Sequence, residues 1–267
     1  TTTSLVENYP GFPAGVQGPE LVKLIREQAG RFGAEYISED VASVDLKPNS
    51  KKIVVGTTTH EARAVIIATG AKARMLGIPS EARLWGKGVS TCATCDGFFF
   101  KNKHVAVVGG GDSAMEESLF LARVVAKVTV IYRGEKLKAS SIMQARAKEN
   151  PKIEFIWNSV VEEVLGETHV TGVRLKNVVQ QTMQDVACDG MFLAIGHIPT
   201  TEFLGGQLPL DPLGYIEVHG ATTLTDIPGV FACGDVADHR YRQAITAAGT
   251  GCMAALDAER YLGGGKA

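Results

Sequence analysis

The sequence has few cysteines, no excess of charge of one sign and no long apolar run, and each absence removes a class of protein. Five cysteines in 267 residues are an odd number and too sparse for a disulfide scaffold, which points to a reducing, cytoplasmic compartment. Lysine and arginine number 27 against 29 acidic residues, for a formal net charge of -2. No bulk field is therefore available to hold a phosphate backbone or an anionic membrane. The longest apolar runs, such as residues 64–68, fall far short of the roughly 18 residues that span a bilayer. The reading is a soluble globular protein with neither nucleic acid nor membrane as partner. A structural zinc usually needs a second Cys-x-x-Cys or a close histidine pair, and His60, His104, His169, His197, His219 and His239 offer no such spacing, so no metal site is expected. No signal-type apolar region or basic leader opens the chain, which starts Thr1-Thr2-Thr3 without a methionine.

What is plentiful is glycine, 30 residues, about 11% against an average of about 7%. With no Gly-X-Y period to explain them, they are expected at tight turns and close backbone approaches. The 267 residues suffice for one or two domains at roughly 150 residues each. An apolar segment closed by a small residue and glycine recurs at Val65-Ile66-Ile67-Ala68-Thr69-Gly70, at Met191-Phe192-Leu193-Ala194-Ile195-Gly196 and at Val230-Phe231-Ala232-Cys233-Gly234-Asp235. Each reads as a buried parallel strand. Before the first lie a helical stretch at 19–25 and short strands around Tyr36-Ile37, 41–46 and 53–55. Before the second lie a stretch at 141–148 and strands at 153–157, 160–165 and 170–175. The chain therefore reads as two related halves.

The second half holds a unit that the first lacks. Val105-Ala106-Val107-Val108 is an apolar strand, Gly109-Gly110-Gly111-Asp112-Ser113-Ala114 follows at once, and helical spacing runs from Met115 to Val125 before a second strand at 128–131. This is a Gly-x-Gly-x-x-Ala dinucleotide fingerprint between a strand and a helix, where bare amides and a helix N-terminus face a pyrophosphate. The plain alternative is a tight turn with no ligand. If the halves are homologous, a similar unit is expected upstream of Thr1, so the first half reads as incomplete at its front. After the second strand comes Tyr132-Arg133-Gly134-Glu135-Lys136-Leu137-Lys138. Its cations suit the 2'-phosphate of NADP, Glu135 suits the 2'-hydroxyl of NAD, and a solvated charged loop is the third reading.

Cys92 and Cys95, three apart in Thr91-Cys92-Ala93-Thr94-Cys95-Asp96, read either as a redox pair that closes and reopens a small ring or as two core cysteines that fall close together. Cys188, Cys233 and Cys252 stand alone in apolar stretches and read as core packing.

Taken together, these residues resemble the low-molecular-weight, flavin-dependent thioredoxin reductase family of bacteria, plants and fungi. The resemblance runs along the whole chain. It includes Glu7-Asn8-Tyr9-Pro10-Gly11-Phe12, Gly88-Val89-Ser90, Cys92-Ala93-Thr94-Cys95-Asp96-Gly97-Phe98-Phe99, Ala194-Ile195-Gly196-His197, Gly229 through Val236, and the stretch from Tyr241 to Asp257. It implies an α/β fold of two Rossmann-like dinucleotide-binding domains of the three-layer, glutathione-reductase-like kind. Residues 1–74 and 197–267 would form a discontinuous FAD domain lacking its N-terminal strand-helix-strand unit, and residues 75–196 the NAD(P)H domain that carries the redox disulfide. FAD would be held by Thr2, Asn8, Thr69, Gly70, Gly234, Asp235, Arg242, Gln243 and Ala244. Asp235 accepts from sugar-alcohol hydroxyls on this reading and is a helix N-cap on the plainer one. NADPH would sit on Gly109, Gly111, Ser113, Ala114, Arg133 and Lys138. By the same resemblance electrons pass from NADPH through FAD to a Cys92–Cys95 disulfide and on to thioredoxin, with domain rotation about crossings near 74–76 and 196–199. Cys95 would be the sulfur nearer the flavin, Cys92 the attacker of the partner, and Asp96 the proton carrier. A homodimer through the flavin domains is also implied. Two departures stand out. In the loop, Gly134 replaces the second of a consecutive arginine pair, with Tyr132 where histidine is common and Lys138 where arginine is common, which weakens bidentate recognition of a 2'-phosphate. The larger departure is the missing front, which in the family carries the FAD glycine motif and the first strand of the flavin sheet. The competing readings are a relative using NADH or ferredoxin, one reducing a peroxiredoxin-type partner, and a flavin-free remnant that binds without turnover.

Overall fold

The computed structural model describes residues 5–264. The chain divides into two compact units, one of Thr1–Asn8, Phe12–Ile25 and Ala73–Gly196, the other of Tyr9–Gly11, Arg26–Lys72 and His197–Ala267. Among the described residues no helix is long and apolar enough to cross a membrane.

The first unit is built on a five-stranded sheet in the order Ile153–Ile156, Lys127–Ile131, His104–Val108, Gly190–Leu193, Val89–Ser90, with every neighbouring pair parallel. Side chains alternate across a strand, and here the alternation builds two cores. Val105, Val107, Val128, Val130 and Phe192 turn to one face, where they meet Ala114, Met115 and Leu121 of helix Asp112–Leu121 and Ala147 of helix Ser141–Glu149. Ala106, Val108, Ile131, Met191 and Leu193 turn to the other. They meet Val161, Val164, Val173 and Leu175 of an antiparallel sheet formed by Ser159–Leu165, Gly172–Asn177 and Met183–Ala187. Strands buried on both faces read as unbroken apolar runs, which is why this sheet was legible in sequence.

The second unit repeats the scheme on a smaller scale. Val65–Ile67 pairs in parallel with Val230–Ala232. Val230 and Ala232 pack with Ile67, Leu46, Leu204 and Ile216, and Leu46 belongs to an antiparallel sheet of Val41–Lys47, Ser50–Val55 and Thr58–Ala62. Phe231 and Cys233 turn the opposite way onto Ala254 and Ala258 of helix Ala244–Leu262. Both units are α/β with helix, parallel strands and antiparallel sheet in layers, as expected.

Three expectations need correction. Tyr36 and Ile37 form no strand and are 45% and 55% exposed. No described strand pairs with this segment, and Tyr36 instead takes the Arg26 guanidinium 4.2 Å from its ring centroid while its hydroxyl donates to Arg26 O at 3.0 Å. Ile66, expected to be buried, is 41% exposed, whereas its neighbour Ile67 is 4% exposed. Cys252 is exposed while Cys188 and Cys233 are buried, because its side of helix Ala244–Leu262 lies away from the buried Ala254 and Ala258. The 19–25 stretch lies in the N-terminal half of a longer helix, Gly18–Arg31. Thr58–Ala62 and Met183–Ala187 are strands whose exposed polar residues carry no apolar alternation.

Phe192 is fully buried and edge-on to Phe100, with centroids 5.4 Å apart. Phe192→Ala is expected to destabilise the first unit by about 3–5 kcal/mol, measured as a lowered denaturant midpoint.

Candidate functional site

Cys92 is the last extended residue before a four-residue helix, Ala93–Asp96, which continues into the 3-10 turn Gly97–Phe100. Winding the chain through this turn brings the Cα atoms of Cys92 and Cys95 to 5.3 Å, and their sulfurs are joined as a disulfide. Asp96 N donates to Cys92 O at 3.1 Å. The segment is mounted on the end of helix Asp112–Leu121. Gly97 makes the approach possible, since a Cβ there would lie 3.0 Å from Leu121 Cδ2 and 3.3 Å from Phe120 Cε1. Phe98 packs edge-on to Phe120 at 6.2 Å. Cys92 and Cys95 are half-buried, with Thr94 exposed between them.

Asp96 is tied into this segment by a residue that the sequence did not single out as functional. Ser90, 6% exposed on the edge strand, donates its hydroxyl to Asp96 Oδ2 at 2.6 Å and accepts from Cys92 N at 3.1 Å. Burial raises the Asp96 pKa above the usual carboxylate value, and the Ser90 hydrogen bond opposes that rise. Folding therefore shifts Asp96 toward its protonated form relative to the unfolded chain, and the stability linked to that shift is lost as pH rises through the folded pKa. A carboxyl beside a disulfide with a raised pKa can hold a proton and release it.

The glycine turn adjoins the same helix. Gly109 has φ +151°, and a Cβ there would strike Ala194 O and lie 2.9 Å from Ala114 Cβ. Ala114 is fully buried beneath it. Gly111, the residue that caps the helix, has nothing within 4 Å of where its Cβ would be, and no side chain caps the helix. The first-turn amides, Ser113 among them, therefore lie beside open space, which suits a phosphate. Asp112 does not compete for that space. Its Oδ1 accepts from Ser140 N at 2.9 Å and Ser140 Oγ at 2.8 Å, which hold its pKa below the usual value. Lys138 N donates to Gly110 O at 2.7 Å, so the structure brings Lys138 and the loop containing Arg133 to the fingerprint.

In the second unit the two parallel strands end at Gly70 and Gly234. Thr69 Oγ1 donates to Thr200 O at 2.7 Å, Thr200 N donates to Gly70 O at 2.9 Å, and Gly234, with φ +67°, donates its amide to Thr250 Oγ1 at 3.0 Å. Asp235 follows, half-buried and without a hydrogen-bond partner among the described residues. Its pKa is raised by burial and by Asp238 and is lowered by Arg242. A sheltered carboxylate with no protein donor suits a hydroxyl-bearing ligand such as the sugar alcohol of a flavin. Asp238 organises the next turn, accepting from Arg240 N at 2.8 Å, Tyr241 N at 2.9 Å and Arg242 N at 3.4 Å. Arg242 takes a left-handed φ of +49°. Gln243 and Thr246 then form a capping box at the start of helix Ala244–Leu262. His197 lies within the field of Arg242; burial and that charge lower its pKa to about 4, and its Nδ1 is buried without a partner. Thr2 lies outside the described residues. Asn8 belongs to the first unit, whereas Thr69, Gly70, Gly234, Asp235, Arg242, Gln243 and Ala244 belong to the second.

Replacing Ser90 with Ala removes a hydrogen bond that favours the ionised carboxyl. Carboxyl NMR is expected to show Asp96 titrating at higher pH in Ser90→Ala; an unchanged midpoint contradicts the pairing.

Comparison with known proteins gives the same assignment. The sequence profile of the pyridine nucleotide-disulphide oxidoreductases matches residues 2–251. A thioredoxin reductase of Mycolicibacterium smegmatis is 54% identical over 261 residues, 98% of this chain and 84% of that protein. One from Streptomyces coelicolor is 53% identical over 261 residues, covering 97% and 81%. A solved thioredoxin reductase from Giardia duodenalis superposes with TM-score 0.93 at 43% identity, covering 98% of this chain and 86% of its own. The fold is that of two Rossmann-like domains. The chain belongs to the pyridine nucleotide-disulphide oxidoreductase family, among its low-molecular-weight thioredoxin reductases.

Proposed function

We propose that the chain uses NADPH to reduce the disulfide of thioredoxin. The observation that carries this reading is the Cys92–Cys95 disulfide mounted on the helix of a dinucleotide fingerprint. Residues 75–196 form the nicotinamide domain, in which Gly109, Gly111, Ser113 and Ala114 seat the pyrophosphate while Arg133 and Lys138 meet the 2'-phosphate. Residues 1–74 and 197–267 form the flavin domain, in which Thr2, Asn8, Thr69, Gly70, Gly234, Asp235, Arg242, Gln243 and Ala244 hold FAD. Bound FAD supplies a two-electron carrier between the nicotinamide and the disulfide.

The protein's own sulfurs do the rest. The Cys92–Cys95 bond breaks as it takes up two electrons, and the two sulfurs take up two protons. Asp96, held by Ser90, carries the proton that converts Cys92 to a thiolate and back. That thiolate attacks one sulfur of the thioredoxin disulfide, and the other partner sulfur leaves and is protonated. Cys95, deprotonated in turn, attacks Cys92 Sγ, which re-forms the starting disulfide and releases the second partner thiol. The reading includes a cytoplasmic location, supported by the sparse cysteines. It also includes a homodimer, supported by the exposed Ile245, Met253 and Leu256 on helix Ala244–Leu262. NADH as donor is the second reading, favoured by Gly134.

With FAD added, NADPH oxidation is expected to depend on thioredoxin. Cys92→Ser should abolish thioredoxin reduction while NADPH still bleaches the flavin. Retained thioredoxin turnover in that variant contradicts the roles given to the sulfurs, and equal rates with NADPH and NADH contradict the donor.

A further inference from the structure

Strand Lys127–Ile131 ends at Tyr132, whose backbone is pinned on both sides. Its N donates to Ile156 O at 3.0 Å and its O accepts from Ser159 N at 3.1 Å. The ring packs against the core beneath the helices and lies between two glycines. A Cβ on Gly110 would fall on the ring itself, and one on Gly134 would lie 3.0 Å from Cε1 and 3.4 Å from Cζ. The ring is packed against the Gly110 side, so the few tenths of an ångström that a Cβ at 134 would require must be taken out of that contact.

The far end of the loop is fixed to the same turn. Lys138 N and Ala139 N both donate to Gly110 O, at 2.7 and 3.1 Å, and Leu137 and Ala139 are buried at 7% and 6% exposure. Between these anchors Arg133, Glu135, Lys136 and Lys138 are exposed, and their side chains form no hydrogen bond or ion pair among the described residues. The cations are held at the glycine turn and left open to an anion.

We infer that Tyr132 is a specificity-determining positioning residue: by filling the gap between Gly110 and Gly134 it excludes a side chain at 134. That exclusion sets how strongly the site distinguishes a 2'-phosphate from a 2'-hydroxyl. Residues 132 and 134 are therefore coupled, and a cation at 134 can reach the ligand only once the six-membered ring is gone. The inference rests on the reading of this turn as the seat of a nicotinamide dinucleotide.

The test is calorimetric binding of adenosine 2',5'-bisphosphate and of 5'-AMP to the purified full chain and to G134R, Y132H and Y132H/G134R. Histidine keeps an aromatic ring but is smaller and lacks the para hydroxyl. Preference for the bisphosphate is expected to rise about tenfold or more in Y132H/G134R and by less than about threefold in either single variant, a non-additivity proper to residues in contact. Y132F/G134R keeps the six-membered ring and is expected to behave as G134R does. If G134R alone, or Y132F/G134R, gains the full preference, the exclusion is overturned. If the unaltered chain binds neither nucleotide, the dinucleotide reading itself fails, and the inference with it.

Discussion

The first unit is arranged around one close approach of backbone to backbone. At the carboxyl ends of two adjacent parallel strands Gly109 meets the carbonyl of Ala194, with the methyl of Ala114 behind it. Only a residue without a side chain fits, and the chain must turn at once into helix Asp112–Leu121. The start of that helix leaves amides facing the open space above Gly111, and its end receives Gly97 and so carries the disulfide. The carbonyl of Gly110 anchors the cationic loop. The open glycine turn, the cationic loop and the disulfide are therefore placed by one strand-to-helix turn and the helix that it starts.

The second unit uses the same alternation for a different purpose. Its two parallel strands send Val230 and Ala232 to one core and Phe231 and Cys233 to the other, as the larger sheet does. At their ends, however, stands a sheltered carboxylate, Asp235, rather than a run of glycines. Burial raises the Asp235 pKa, and Arg242, itself held in a left-handed turn by Asp238, draws it back down. One unit leaves its helix start without a side-chain cap beside open space, and the other leaves a carboxylate without a hydrogen-bond partner among the described residues.

The features legible in the sequence were those whose parts are contiguous. The fingerprint is a strand, a turn and a helix in one run of residues, and its glycines are demanded locally. Cys92 and Cys95 lie within one helical turn. The doubly buried strands announce themselves because both their faces are apolar. What stayed hidden depends on parts that meet only after folding. Ser90 looks like any strand residue until Asp96, on the following turn, is placed against its hydroxyl. Tyr132 looked like a substitution to be noted beside Gly134; its ring is packed against both Gly134 and Gly110, and the second contact has no sequence signal. Thr58–Ala62 and Met183–Ala187 are strands fixed by pairing with their neighbours rather than by burial. The exposure of Ile66 and Cys252 reflects what packs over each face, which residue type alone does not reveal.

Gly111→Ala isolates the claim that this turn is a phosphate seat. Gly111 has the extended values φ -92° and ψ -178°, which alanine adopts without strain, and its Cβ would touch nothing in the protein. The variant should therefore fold with an unchanged unfolding midpoint while its methyl occupies the space that a pyrophosphate must enter. Calorimetric titration with NADP+ is expected to show affinity reduced by about tenfold or more. Unchanged affinity in a protein of unchanged stability would contradict the account.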